Sequence, residues 1–150
     1  MAKFKITTNI NKSPEVVWKA FIDPQNMLHW ERYLEKVEVI QGKFGEVGAI
    51  AHLHYLEKGR SYILEDKLLA YDEGKRILSQ ITGQRMNIEV ETIFDSLPIG
   101  TKISMSWKGT STSLIIRVML RLLQRKMVKQ GKIELEHFKS LTETYGVNFP

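Results

Sequence analysis

The chain contains no cysteine among its 150 residues, which removes disulfides, thiolate catalysis and any zinc site built on sulfur. Four prolines and ten glycines are too few for a collagen-like or low-complexity chain. No apolar run reaches 18 residues, so no helical membrane span is expected. The opening MAKFKITTNI alternates and carries charge, unlike a secretory leader. There is no Gly-x-Ser-x-Gly elbow. Gly42, Gly45 and Gly48 lead into a strand rather than a helix, so they do not form a phosphate-cradling loop. Nucleophile chemistry is therefore without support, and no cofactor is expected. What remains is ordinary globular composition, 43% apolar and 26% charged, of a length that suits one domain over residues 1–150. A cytoplasmic location is the expectation.

The formal charge of +5 is local. Residues 111–132 hold Arg117, Arg121, Arg125, Lys126, Lys129 and Lys132 and no acid. The rest of the chain is close to neutral, unlike the broad basic footprint of a specific nucleic-acid binder. Leu114, Val118 and Leu122 interleave with the three arginines, so this end of the segment is apolar almost all round. Three arrangements satisfy that pattern: cover by loops and short helices, a homodimer contact, or contact with an anionic ligand or a peripheral membrane surface with the arginines at lipid phosphates.

Periodicity places the elements. Residues 3–11 alternate as a strand. Ser13-Pro14-Glu15 then reads as a helix N-cap, with proline at the first helical position and an acid in the first turn. That helix must stop before Pro24, because Asp23 is pushed out of the α region, and Asp23 caps a second short helix, Pro24 to Trp30. From 34 to 109 six strand patterns alternate with turn signals, giving an antiparallel meander and, with the first strand, seven strands. The segment 47–59 reads as one of them. A helix of about 30 residues follows Ser113 and ends at Gly146, roughly 45 Å long.

The last helix carries an apolar stripe of Ile116, Leu120, Leu123, Met127, Phe138, Leu141 and Tyr145 that should face the sheet. Gln130, Gly131 and Glu134 interrupt it at mid-length. Either this stretch faces space, or the helix rotates enough for Glu134 to reach solvent or an ion-pair partner. His52 and His54 share one strand face, a weak metal signal, and metal binding is not expected. Glu65-Asp66 puts one carboxylate on each side of its strand, so one of them turns inward. Which one depends on the strand parity of residues 48–70, which a single bulge would invert.

The run Ile10-Asn11-Lys12-Ser13-Pro14-Glu15-Val16-Val17-Trp18, then Asp23-Pro24, Trp30, the Pro98-Ile99-Gly100-Thr101-Lys102 turn and the long final helix resemble the START-related, birch-pollen-allergen-like (SRPBCC, helix-grip) superfamily. The N-terminal stretch resembles its polyketide cyclase/dehydrase and lipid-transport branch. The resemblance implies an α+β fold in which a curved seven-stranded antiparallel sheet wraps around the C-terminal helix and encloses a hydrophobic cavity. Gly131 would then make room beneath the helix, with Gln130 and Glu134 as polar handles. Ile88, Val90, Ile103, Met105 and Trp107 would be the walls, Met127 and Phe138 would lie on the helix side, and Trp30 would stand near an entrance with Met27 and Leu28. No catalytic residue carries over, since the superfamily has no universal catalytic motif. The expected function is binding or transport of a lipid, fatty acid, isoprenoid or polyketide-like molecule. The alternatives are an aromatase/cyclase-type enzyme using Glu134 or an inward Glu65 or Asp66 in the same cavity, and a protein-interaction module with a filled core.

Overall fold

A computed structural model describes residues 2–83, 85–111 and 113–150. Strand β1 (Ala2–Ile10) leads into helices α1 (Pro14–Ile22) and α2 (Pro24–Trp30). Strands β2 (Leu34–Gln41), β3 (Ile50–Glu57), β4 (Arg60–Asp72), β5 (Arg76–Gly83), β6 (Met86–Leu97) and β7 (Gly100–Thr110) follow, and helix α3 (Leu114–Tyr145) is the last element. The caps are those that the local chemistry dictates. Ser13 Oγ accepts from the Val16 N–H, Asp23 is extended (φ −78, ψ 116), and its carboxylate accepts from the Gln25 N–H at 2.9 Å. Strand β3 begins at Ile50 rather than at 47, because Gly48 sits at φ +86 in the preceding turn.

The seven strands form one antiparallel sheet in the order β1-β7-β6-β5-β4-β3-β2. This is the α+β helix-grip fold. Helix α3 runs alongside β1 and is tied to it at three levels. The Gln124 amide donates to the Lys3 carbonyl at 2.7 Å, the Thr8 hydroxyl to Glu136 at 2.8 Å, and the Asn11 N–H to Glu143 at 2.8 Å. From 124 to 143 the helix rises about 28 Å, and from 3 to 11 the strand advances about 27 Å, so helix and strand stay in step. The β6–β7 turn closes on β1 as well. A Cβ at Gly100 (φ +98) would collide with the Ile10 carbonyl oxygen, and the Thr101 hydroxyl donates to the Lys12 carbonyl at 2.8 Å.

Two corrections concern the α3 stripe. Leu123 and Tyr145 are exposed, and Leu135 and Thr142 are buried beside Leu120 and Phe138. At 100° per residue Leu123 lies roughly 80° from the line of those four, and Tyr145 sits in the last turn before the chain leaves the helix at Gly146. The core is uneven. At one end α1, α2 and α3 close on the sheet through aromatics, with Phe21 at 5.6 Å and Trp30 at 5.3 Å from the Phe138 ring, and Phe21 at 5.5 Å from Phe94. A smaller cluster surrounds Leu34, Leu53 and Tyr55.

Candidate ligand cavity

Between the concave face of the sheet and the middle of α3 lies a cavity of about 660 Å³. Strand parity decides what faces it. Ala51, Leu53 and Tyr55 of β3 point inward, paired in register with Asp66, Leu64 and Tyr62 of β4. His52 and His54 therefore take the outer face, where their Nε2 atoms lie 3.7 Å from Glu65 and 3.2 Å from Glu38. Asp66 is thus the inward carboxylate and Glu65 the outward one. The bulge falls later, between Leu68 and Ala70, and inverts parity so that Tyr71 faces in.

Of the residues expected at the cavity, Trp30, Ile88, Val90, Met105, Trp107, Met127, Gln130, Gly131 and Glu134 line it. Ile103 and Phe138 do not. Both are fully buried in the closed core, one step beyond the cavity floor. Along β6 the lining runs Ile88, Val90, Thr92 and stops at Phe94; along β7 it runs Trp107, Met105 and stops at Ile103, the partner of Phe94. Phe138 closes the same level from α3, because α1 and α2 fill the volume there. Trp30 is not an entrance residue: it is buried against Phe21 and Phe138, and Leu28 packs on the second cluster. Gly131 has a different reason from the one expected. An added Cβ would stand 3.2 Å from Ile6 Cδ1 and 3.7 Å from Trp107, so glycine lets α3 approach the sheet closely. The exposed Lys43 and Glu46 of the β2–β3 loop also border the cavity, which therefore reaches the surface there.

The polar interior is acidic. Glu31, the C-cap of α2, extends its carboxylate to accept from the Tyr55 hydroxyl. Glu134 accepts from the Gln130 amide at 3.0 Å, and Asp66 has Ser79 as hydrogen-bond partner. Burial pushes Glu31 up to about 8, and the nearby Glu134 and Asp66 charges add to the shift. Burial likewise lifts Glu134 to about 7 and Asp66 to about 6, and drives the Tyr55 hydroxyl well above its ordinary range. Near neutral pH Glu31 therefore keeps its proton, Glu134 is partly protonated and Asp66 is mostly ionised, so together they can accept a hydrogen bond, donate one or exchange a proton with a bound molecule. Glu31, Tyr55 and Tyr62 were not singled out in the sequence. Glu31 looks like a polar helix end, and Tyr55 and Tyr62 could be placed only once the parity of β3 and β4 was known. Arg117, Arg121 and Arg125 are all outside the cavity, exposed on the first half of α3.

The sequence matches, over residues 1–143, the family described as polyketide cyclase / dehydrase and lipid transport. The chain belongs to that family. Its fold is shared with protein CV1439 from Chromobacterium violaceum, with a TM-score of 0.76 at 17% identity over 94% of this chain and 96% of that one. Protein SA2116 from Staphylococcus aureus superposes with a TM-score of 0.77 at 15% identity, covering 95% and 94% of the two chains. Ara h 8.0201, a birch-pollen-allergen-like protein, does so at 0.68 with 17% identity, covering 91% and 97%. At such identities the likeness carries the fold alone. No curated protein matches the sequence. Membership of the polyketide cyclase/dehydrase and lipid-transport family supports a hydrophobic ligand-binding fold, and no helix among the described residues is long and apolar enough to cross a membrane.

Proposed function

We propose that the protein binds and carries a hydrophobic small molecule, of lipid, isoprenoid or polyketide-like type, in the cavity under α3. The observation that supports this most is the contrast within one fold. One end of the sheet is packed solid with aromatics, while the middle keeps about 660 Å³, within the range of drug-sized ligand sites, behind mostly apolar walls. Trp30, Ile88, Val90, Met105, Trp107 and Met127 are the apolar contacts, and Gln130 and Glu134 the polar ones, with Gly131 setting the distance between helix and sheet. Native mass spectrometry of protein purified from its own host, followed by organic extraction, tests the reading. A stoichiometric hydrophobic compound is the expected result. An empty protein that gains no thermal stability from a panel of lipids would overturn it.

A second observation supports an anionic membrane surface as the place where cargo is exchanged. Gln124 meets Lys3 near the start of β1, so the ten residues before it run past that point, and only Leu120 among them is buried. Leu114, Ile115 and Leu122 are 70%, 72% and 77% exposed, with Val118 and Met119 between them. Arg117, Arg121 and Arg125 flank this patch and Lys126 and Lys129 follow it, with no acid before Glu134. Apolar side chains beside cations suit a headgroup layer, at about 1 kcal/mol per basic residue near an anionic surface. A second copy of the chain would bring the same cations against these, which disfavours a homodimer. Sedimentation with vesicles should show binding to phosphatidylcholine containing 30% phosphatidylglycerol, weak binding to phosphatidylcholine alone, and loss of binding in Leu122→Glu. Equal binding to both vesicles, or a concentration-dependent dimer in their absence, would refute it.

A further inference from the structure

The acidic interior narrows the class of ligand, given that the cavity binds one at all. We infer that the cavity takes an apolar molecule whose polar end is a hydrogen-bond donor, an alcohol or an amine, and turns away carboxylates. Glu31, Asp66 and Glu134 line the cavity, each with two oxygens and about four lone-pair positions. Four donors beside them are already engaged: the Tyr55 hydroxyl with Glu31, the Gln130 amide and the Arg32 backbone N–H with Glu134, and Ser79 with Asp66. Even with Glu31 protonated and the Thr92 hydroxyl in the lining, acceptor positions outnumber donors.

Cations do not correct the balance. Arg32 and Lys43 are the basic residues of the lining, and both are exposed at its margin. The Arg32 guanidinium lies 4.9 Å over the Tyr33 ring. The Trp30 indole N–H is buried without a partner, but it is sealed from the open space. A carboxylate entering this site would give up its hydration to face three acids, few donors and no inward cation, which is costly in a low-dielectric pocket. An alcohol or ammonium would instead find acceptors ready, at charge-assisted strength where the carboxylate is ionised. Burial makes Glu31, Asp66 and Glu134 all hold protons more tightly than ordinary carboxyls, and at Glu134 the charge of Arg32 offsets only part of that shift. The free fatty acid among the candidate ligands is thereby excluded, and the arginines of α3 cannot rescue it from outside the cavity.

Three ligands with the same chain, decanol, decylamine and decanoate, test the inference. Each is titrated at pH 8 against protein loaded with the uncharged dye Nile red. The alcohol and the amine should displace the dye at concentrations at least tenfold lower than the carboxylate. In the Glu31→Gln, Glu134→Gln double variant, checked for folding by circular dichroism, the amine-to-carboxylate ratio should fall to within about threefold. Decanoate competing as well as decanol would overturn the inference and leave the binding function standing. So would an unchanged ratio in the folded double variant. Failure of Nile red and all three ligands to bind would remove the binding function itself, and this inference with it.

Discussion

Glu31 shows how one side chain records its surroundings. It ends a short helix in a position where most glutamates would be solvated, yet its carboxyl is enclosed and pushed up to about 8 by burial. The folded-state pKa is raised above the unfolded value, so the stability linked to this group is fully present below about 4.5 and is lost as pH rises through about 8. Glu134 and Asp66 act with the same sign, through windows ending near 7 and 6. The melting temperature of the ligand-free protein should therefore decline between pH 5 and pH 8, and Glu31→Gln should flatten the upper part of that decline. Parallel melting curves for the two proteins across this range would remove Glu31 as the cause. Glu38, on the outer face, has the opposite sign: its hydrogen bond to His54 and the charge of Lys36 lower its pKa. It is exposed, so its influence on the curve is small.

Elements are held together here by few but specific contacts. Asn26, buried in α2, donates to the Ala20 carbonyl at 3.1 Å and the Val147 carbonyl at 2.7 Å, and accepts from the Phe149 N–H at 3.1 Å. One amide thus fastens α2 to the end of α1 and to the C-terminal tail. Asn26→Ala leaves three backbone groups without their partner and should cost about 2–4 kcal/mol in urea unfolding. A cost under about 1 kcal/mol would show that water replaces it. Gly131 sets the approach of α3 to β1. Alanine there meets the flexible tip of Ile6, and its helix propensity gains about 1 kcal/mol. Gly131→Ala should therefore stay within about 1 kcal/mol of the parent. Gly131→Leu would drive α3 from the sheet and should lose about 1–3 kcal/mol. Equal stability of the two variants would mean that the approach is loose.

At the scale of the molecule, the accessible surface is 8991 Å², against about 7,900 Å² expected for a compact monomer of this mass. The cavity walls and the uncovered start of α3 are where a surplus of that kind would arise. Part of it should disappear when the cavity is filled. A neutral amphiphile at a hundred times its Kd stabilises by about 2.7 kcal/mol, or roughly 5–10 °C in melting temperature for a chain of this size. Thermal unfolding with decanol measures this directly, and no shift at saturation would count against a preformed cavity.

The order of elements, the caps of α1 and α2 and the length of α3 are legible in the sequence, because proline, capping residues and hydrophobic period act within a few residues of chain. So were most of the cavity walls on β6 and β7, where clean alternation leaves one parity. The acidic interior was legible only in part. Glu134 stands out as a polar break in an apolar stripe, but Glu31 meets Tyr55 across 24 residues of sequence. The inward turn of Asp66 depends on a bulge falling after it rather than before. Where the cavity stops was not legible at all. Ile103 and Phe138 follow the pattern of their lining neighbours, and they are core only because α1 and α2 fold back over that end of the sheet. Local chemistry settles what each segment becomes, whereas burial, proton affinity and empty volume arise from distant segments meeting in space.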